Sequence, residues 1–289
     1  MAIAGDAVSM RKKLFAGILA VFACAGAATA APAQAAPAGN VVYAGDSFTS
    51  NPEYWRVVAN RVNPEFARQG TPTTDGCLQT PDNAPRLLAG KTGLPVADWS
   101  CPGQTSRSML GRLDRAIQTG DLHRKTRSVI LAVGINNYGP AGVSEGTNIL
   151  DPGAVQAAMV ADMKAAAEKI RRVAPGAKII VQGQLSVSDP VTAMYCSVNV
   201  VPNLPAGFPI PLLRDVENFS HDAQRAAARE IGAPFVEIKD PSAGHSSCAP
   251  DQERWVAGVI DTTTPNYHMM FHPSRAGSDF VASEVAKFI

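Results

Sequence analysis

From residue 40 onward, short runs of apolar residues alternate with longer segments in which apolar side chains recur every three or four positions. Residues 40–44, 128–133, 177–181 and 234–238 are runs of the first kind, rich in Val and Ile. Near-continuous apolar runs of this length suit strands covered on both faces, where no position looks onto water. Residues 154–173 and 216–231 have the helical spacing, and they stop at Pro175-Gly176 and at Gly232. Proline cannot continue a helix, and glycine accepts the left-handed conformation that closes one. A last helix is predicted over residues 274–288, with the Ser274 hydroxyl capping its first turn. Strands alternating with helices imply a parallel sheet with helices on both faces and right-handed crossovers, an α/β fold in three layers. The chain has no internal repeat and no second composition regime, so residues 36–289 are expected to be a single domain.

Residues 185–213 break this rhythm. They hold Pro190, Pro202, Pro205, Pro209 and Pro211 among many apolar side chains, with little helical period. A segment this long inside a compact domain is usually functional or disordered, and Cys196 offers a way to tie it down, so an ordered wall or lid is expected.

Composition adds a compartment. Arg11-Lys12-Lys13 precede an apolar stretch at 14–23, and small-residue exits follow at Ala28-Thr29-Ala30 and Ala33-Gln34-Ala35. That is the pattern of a cleavable signal peptide over residues 1–35. The apolar run is short of the ~20 residues a membrane-spanning helix needs. The expected product is secreted or cell-envelope associated, with no transmembrane segment in the mature chain. The formal net charge of the whole chain is +1, and residues 1–35 carry +2 of it (Arg11, Lys12 and Lys13 against Asp6), leaving −1 for the rest. That balance gives no reason to expect nucleic acid as a partner, and no basic run after residue 13 suggests a polybasic membrane patch. Of the five cysteines, Cys24 lies in the leader, leaving Cys77, Cys101, Cys196 and Cys248. Four thiols in an oxidising compartment suggest two disulfides. Three pairings are possible, and neighbour with neighbour is the expectation. No CxxC spacing is present, and neither a metal nor a cofactor is expected.

The chemistry gathers where strands end. Gly45-Asp46-Ser47 follows the first strand, and open α/β sheets bind ligands outside the carboxyl ends of their strands. Ser47 can present its hydroxyl near a helix N-terminus, where developing negative charge is favoured. Gly-Asp-Ser alone also reads as an ordinary turn. Two further pieces strengthen it. Gly103 follows the short apolar segment 94–99, and Asn136 follows the run 128–133; a backbone N–H and a side-chain amide there could both donate to an oxyanion. Among His123, His221, His245, His268 and His272, the last stands out because His272-Pro273 fixes an imidazole directly before the closing helix. His268 and His272 are four apart, but no third ligand suggests a metal.

Gly45-Asp46-Ser47, Gly103, Gly134-x-Asn136 and His272-Pro273 resemble, in order, the four sequence blocks of the SGNH/GDSL hydrolases, over essentially the whole mature chain. Cys-x-Gly-x-Thr at 101–105 is similar to the secreted actinobacterial esterase/lipase branch. The resemblance implies a flavodoxin-like three-layer fold, a Ser47 nucleophile, a His272 base, and an oxyanion hole from the Ser47 and Gly103 N–H groups and the Asn136 amide. It also implies neighbour pairing of the cysteines. Two positions depart from the pattern: the family's Asn-Asp pair reads Asn136-Asn137, and where the family carries an aspartate three residues before the histidine, this chain has Met269. A triad's third member holds the imidazole in the correct tautomer. The expectation is that the Met269 main-chain carbonyl takes that role, making a Ser-His dyad, with Asp261 as the alternative. The expected activity is carboxylic ester hydrolysis through an acyl-enzyme by a monomer, on an acyl ester, with lipids among the candidate substrates. Residues 185–213 with Met269, Met270 and Phe271 would supply an apolar wall. The second reading is an O-acyl esterase or acyltransferase acting on a cell-envelope glycan or glycolipid, with Tyr138, Tyr195 and Trp255 lining an open cleft.

Overall fold

Residues 39–289 are described by the structure, a computed structural model, so the expected signal peptide lies outside the described residues. A five-stranded parallel sheet runs through the middle. Its strands are β1 (Val41–Gly45), β4 (Val96–Asp98), β5 (Ser128–Ala132), β6 (Lys178–Gln182) and β9 (Phe235–Val236). Between β1 and β4 lies a small antiparallel pair, β2 (Thr73–Thr74) and β3 (Cys77–Leu78). Across the main sheet the order is β4-β1-β5-β6-β9, all neighbours parallel. Renumbered within the sheet this is 2-1-3-4-5, the flavodoxin-like winding, whose ligand crevice opens where β1 meets β5.

Every residue of β1 and β5 is buried, because both faces are covered. Val42, Ala44, Val129 and Leu131 point into one cluster with α5 (Ser106–Gln118), α7 (Pro152–Val173) and α8 (Pro211–Ile231). Val41, Tyr43 and Ile130 point into the other, with α4 (Ala84–Thr92) and α9 (Arg275–Ala286). The two-residue side-chain period of a strand thus sorts adjacent apolar residues to opposite layers. Shorter helices fill the connections: α1 (Ser47–Ser50), α2 (Tyr54–Ala59), α3 (Pro64–Arg68) and α6 (Pro140–Ser144). The predicted caps hold: Ser274 accepts from the Gly277 N–H, and Gly232 closes α8 at φ +64. Helix α8 begins at Pro211, earlier than the periodicity indicates, since proline at N1 has no N–H to leave unsatisfied. Among the described residues no helix is long and apolar enough to cross a membrane.

Residues 185–213 are ordered by a second sheet, in the order β10-β7-β8, formed by β7 (Met194–Asn199), β8 (Ala206–Pro209) and β10 (Ile260–Asp261). Its anchor is Glu217 on α8. The buried carboxylate accepts the Val187 N–H at 3.0 Å, the Ser188 N–H at 3.0 Å and the Ser188 hydroxyl at 2.9 Å. Burial lifts its pKa to about 7 against those three bonds. Gly207 in β8 is required by close approach, since a Cβ there would fall onto the backbone of Tyr195 and Cys196.

Both neighbour disulfides are present, Cys77–Cys101 and Cys196–Cys248, separated by 24 and 52 residues. The first ties the loop that follows β4, the second ties β7 to the loop after β9. In the chain-entropy model closing the shorter loop contributes ~3 kcal/mol. Replacing Cys77 and Cys101 together by alanine should therefore lower the unfolding free energy by about that amount, read from urea unfolding with midpoint and slope both fitted, the slope rising because the unlinked unfolded chain exposes more surface.

Candidate active site

The end of β1 is held from both sides. The Cys101 N–H donates to the Gly45 carbonyl at 2.9 Å, and the Asp46 N–H donates to the Ala132 carbonyl at 3.2 Å. These two bonds continue the β1–β4 and β1–β5 pairings beyond the strands, and they bring the loops that follow all three together. Gly45 is glycine for space and not for a sharp turn: a Cβ there would sit 2.6 Å from the Thr49 Cβ, inside the first turn of α1. Asp46 caps that turn, its carboxylate accepting the Phe48 N–H at 2.9 Å. Burial pushes the Asp46 pKa up to about 7, with the N–H bonds of Phe48 and Thr49 pulling the other way. Ser47 is the first residue of α1 and half-buried. Helix α1 ends on Asn51 in the left-handed region, φ 44, and the buried Asn51 amide donates to the Pro273 carbonyl at 2.9 Å. That bond links the Ser47 turn to the segment bearing His272.

Gly103 lies exposed at φ +79, a conformation that favours glycine. The N–H groups of Ser47 and Gly103 donate to no other described residue. Asn136 opens the short 3₁₀ turn Ile135–Tyr138 after β5, and its amide donates to the Gln104 carbonyl at 3.0 Å. The Gly103 and Asn136 loops therefore touch. One amide hydrogen of Asn136 is engaged in that contact and the second is left to donate. Asn137 does a different job. Buried, it accepts the Ser106 N–H at 3.1 Å and donates to the Ser106 hydroxyl at 2.7 Å, fastening this turn to the start of α5.

The His272 imidazole is held at Nδ1, 2.9 Å from a main-chain carbonyl, and that carbonyl belongs to Met270, not Met269. The cause lies at Phe271, whose φ of +64 turns the chain back so that the Met270 C=O faces the ring two residues on. A non-glycine residue there is uncommon. It is fixed by the Phe271 N–H, which donates to the Ala257 and Gly258 carbonyls at 3.2 Å, and by the Ala257 N–H, which donates to the His272 carbonyl at 3.1 Å. The Phe271 ring packs edge-on against Tyr195, centroids 5.1 Å apart. The other ring nitrogen, Nε2, is buried without a hydrogen-bond partner among the described residues, and the Phe48 ring lies 4.8 Å from the imidazole. Burial lowers the His272 pKa to about 4, the Met270 carbonyl acting weakly in the opposite sense.

Asp261 is engaged elsewhere. One carboxylate oxygen accepts the Gly258 N–H at 2.7 Å, the Thr264 hydroxyl at 2.7 Å and the Asn199 amide at 3.0 Å. The other accepts the Thr263 and Thr264 N–H groups at 3.0 and 2.8 Å. Burial opposes its charge, but these donors prevail and hold its carboxyl below the ordinary range. His268 points away from His272: its Nε2 lies 2.7 Å from an Asp82 carboxylate oxygen, and its carbonyl accepts the Tyr54 N–H at 3.0 Å. The three aromatic residues expected in an open cleft are not available to a sugar. Tyr138 and Tyr195 are buried, and Trp255 is stacked between His245 and Phe280, at 3.7 and 4.5 Å. Sequence reasoning missed Asn51, Asn137, Phe271 and the Met270 carbonyl. Only the asparagines carried a signal, as residues that favour turns and caps.

The sheet is doubly wound, the loops after β1, β4 and β5 carry Ser47, Gly103 and Asn136, and the segment bearing His272 is tied to the Ser47 turn through Asn51. The chain matches the sequence model of the GDSL-like lipase/acylhydrolase family over residues 43–280. It belongs to that family and is an ester-hydrolysing enzyme of the esterase/lipase kind. It is 29% identical over 267 residues to Lipase 2 of Streptomyces coelicolor, covering 84% of each chain. Among solved structures it resembles phospholipase A1 from Streptomyces albidoflavus, with a TM-score of 0.56 at 19% identity, over 87% of this chain and 99% of that one. It also resembles a carbohydrate esterase family 2 enzyme with its carbohydrate-binding domain from Corynascus thermopiles, with a TM-score of 0.50 at 17% identity, over 89% and 67% of the two chains. At these identities the structures share the fold.

Asp261→Asn separates an orienting acid from a structural one. An amide facing several N–H donors leaves one of them unmet, so stability should fall by ~1–3 kcal/mol. The kcat of the folded enzyme should stay within about threefold, whereas a triad aspartate changed to asparagine loses ~10⁴-fold. Urea unfolding and ester hydrolysis on the same preparation give both quantities.

Proposed function

We propose that the protein is a secreted, monomeric carboxylic ester hydrolase working through an acyl-enzyme, with Ser47 as nucleophile and His272 as base in a Ser-His dyad. The observation that carries this reading is the state of the imidazole. Its Nδ1 is paired with the Met270 carbonyl, which requires hydrogen on Nδ1 and leaves Nε2 bare as an acceptor. Attack by Ser47 Oγ on the ester carbonyl passes the hydroxyl proton to Nε2. The tetrahedral oxyanion is met by the Ser47 and Gly103 N–H groups and the second Asn136 hydrogen, each worth ~3 kcal/mol in such sites. The imidazolium then returns the proton to the leaving alkoxide, releasing an alcohol and leaving the acyl group on Ser47. Water activated at the same Nε2 completes hydrolysis and frees the acid. A carbonyl can fix the tautomer as a carboxylate does, and its dipole partly stabilises the imidazolium.

Export is supported by the leader pattern at 1–35 and by two disulfides in the folded chain. An acyl chain in preference to a glycan is favoured by the placement of the aromatics: Tyr138, Tyr195 and Trp255 are sequestered. The 185–213 segment, reaching the base through the Tyr195–Phe271 contact, brings an apolar wall.

Hydrolysis of p-nitrophenyl esters from acetate to palmitate should be lost in Ser47→Ala, and a fluorophosphonate probe should label Ser47 alone. An active alanine variant, or labelling at another serine, overturns the assignment. The pH profile tests the base. A base must be neutral to accept the proton, and a free histidine is half-protonated near 6.5. With the pKa lowered to about 4, kcat/KM should fall only as pH drops through about 4. Asp46→Asn, measured in parallel, separates any limb near 7 that belongs to the buried Asp46 carboxyl.

A further inference from the structure

Helix α2 has the sequence Tyr-Trp-Arg-Val-Val-Ala and buries none of its residues. With α3 it leaves a run of large apolar side chains in solvent: Tyr54 is 46% exposed, Trp55 47%, Val62 87% and Phe66 51%. Scattered apolar side chains on a surface are ordinary; a contiguous group of this size marks an interaction site. The group is organised. Trp55 and Phe66 lie 6.1 Å apart, and the Arg56 guanidinium sits 4.4 Å over the Trp55 ring while donating to the Ala67 and Gln69 carbonyls, which fixes α2 against α3.

A second apolar stretch lies in the 185–213 segment. From Pro190 to Leu213 the chain holds no charged residue and no histidine, yet Leu204, Phe208 and Leu212 are 66%, 57% and 72% exposed, and every residue of β8 faces solvent. Both stretches are fastened to the segment that carries His272. The Tyr54 N–H donates to the His268 carbonyl, and Tyr195 of β7 packs on Phe271.

We propose that these two stretches dock the enzyme on a lipid–water interface, so that its ester substrate is taken from an assembled lipid surface. The inference deepens the esterase reading and rests on it for the direction in which the site is used. Trp and Tyr with nearby Arg suit the headgroup depth of a bilayer, where one end of the side chain is apolar and the other wet. Arg61 and Arg68 border the aromatic group; of its two acids, Glu53 is paired with Arg56, leaving Glu65. This balance favours an anionic surface. The uncharged proline-rich stretch supplies side chains that enter acyl chains without carrying a charge with them.

The test uses the Ser47→Ala protein, which separates binding from turnover, with extruded vesicles of phosphatidylcholine alone or mixed with phosphatidylglycerol. It should co-sediment with vesicles, more tightly with the mixture, and its Trp emission should shift to the blue. Adding Trp55→Ser with Phe66→Ser, or Leu204→Ser with Phe208→Ser, should weaken binding on the order of tenfold or more. Trp55→Phe should keep most of the binding and lose most of the blue shift. In the Ser47-intact enzyme the Trp55/Phe66 pair should leave soluble acetate ester hydrolysis unchanged. No co-sedimentation with either vesicle, or binding untouched by both pairs, overturns the proposal. So does a concentration-dependent dimer in sedimentation velocity that the Trp55/Phe66 pair abolishes, because the surface is then a contact between copies. If Ser47→Ala stays active the esterase assignment fails instead, and the vesicle result is still readable.

Discussion

Two backbone hydrogen bonds at the end of β1 govern the placement of the loops that carry Ser47, Gly103 and Asn136. Gly45 accepts from Cys101 and Asp46 donates to Ala132, so the ladder runs on one residue past the end of β1 and three past the end of β4. Parallel pairing sends the three loops out of the same edge of the sheet, and the 2-1-3-4-5 order carries their helices to opposite faces. Those loops carry Ser47 after β1, Gly103 after β4 and Asn136 after β5. Their relative positions are set by sheet register, which shifts only if the whole apolar pattern of β1 slips with it. The contact of the Asn136 amide with the Gln104 carbonyl then couples the Gly103 and Asn136 loops directly.

His272 arrives from another part of the chain, and its geometry is backbone geometry too. Phe271 at φ +64 gives Nδ1 a carbonyl at 2.9 Å. A carboxylate in that place would favour the imidazolium and raise the pKa; a carbonyl does so weakly, so desolvation prevails and the ring rests neutral. The arrangement trades stabilisation of the cation for an imidazole that is unprotonated over a wide pH range. Asp261, the nearest acid preceding His272 in the sequence, is spent on the 258–264 loop, where five donors fix it. That loop presents the Ala257 and Gly258 carbonyls that hold Phe271. The acid therefore supports His272 at one remove, through the backbone.

How much of this the sequence disclosed follows from the range of the forces involved. Buried strands and long helices write their periods directly, so β1, β5, β6, α7 and α9 are legible, as is the sheet-end placement of Ser47, Gly103 and Asn136. The two disulfide pairings and the order of family blocks are legible as well. Residues 185–213 hide their strands because β8 is wholly exposed and proline-rich, which leaves no alternation to read. Met269 in place of Met270 is a one-residue error with a specific cause: a carbonyl's direction depends on the next residue's φ, and nothing in Met-Met-Phe-His announces a left-handed phenylalanine. Gly45 carries the same lesson in reverse. The letter is legible, but its reason, the crowding of Thr49, is a tertiary contact.

Exposed apolar side chains need a physical account of a different kind, because folding gives them none. A residue contributes to the core in proportion to the apolar area it removes from water, roughly 25 cal/mol per Å². Helix α2 buries none of its residues, and the exposed side chains of Tyr54 and Trp55 add little to that sum. The orderly part of the region is its scaffold. Arg56 pins α2 to α3, Asn51 and Tyr54 pin them to the segment around His272, and Glu217 with Cys196–Cys248 pins the uncharged stretch. Buried polar bonds and a disulfide hold rigid two surfaces that the fold does not use. Rigid apolar surface beside a catalytic crevice gains free energy only when something outside the chain covers it, and an enzyme whose substrates are esters meets such a cover wherever those esters assemble.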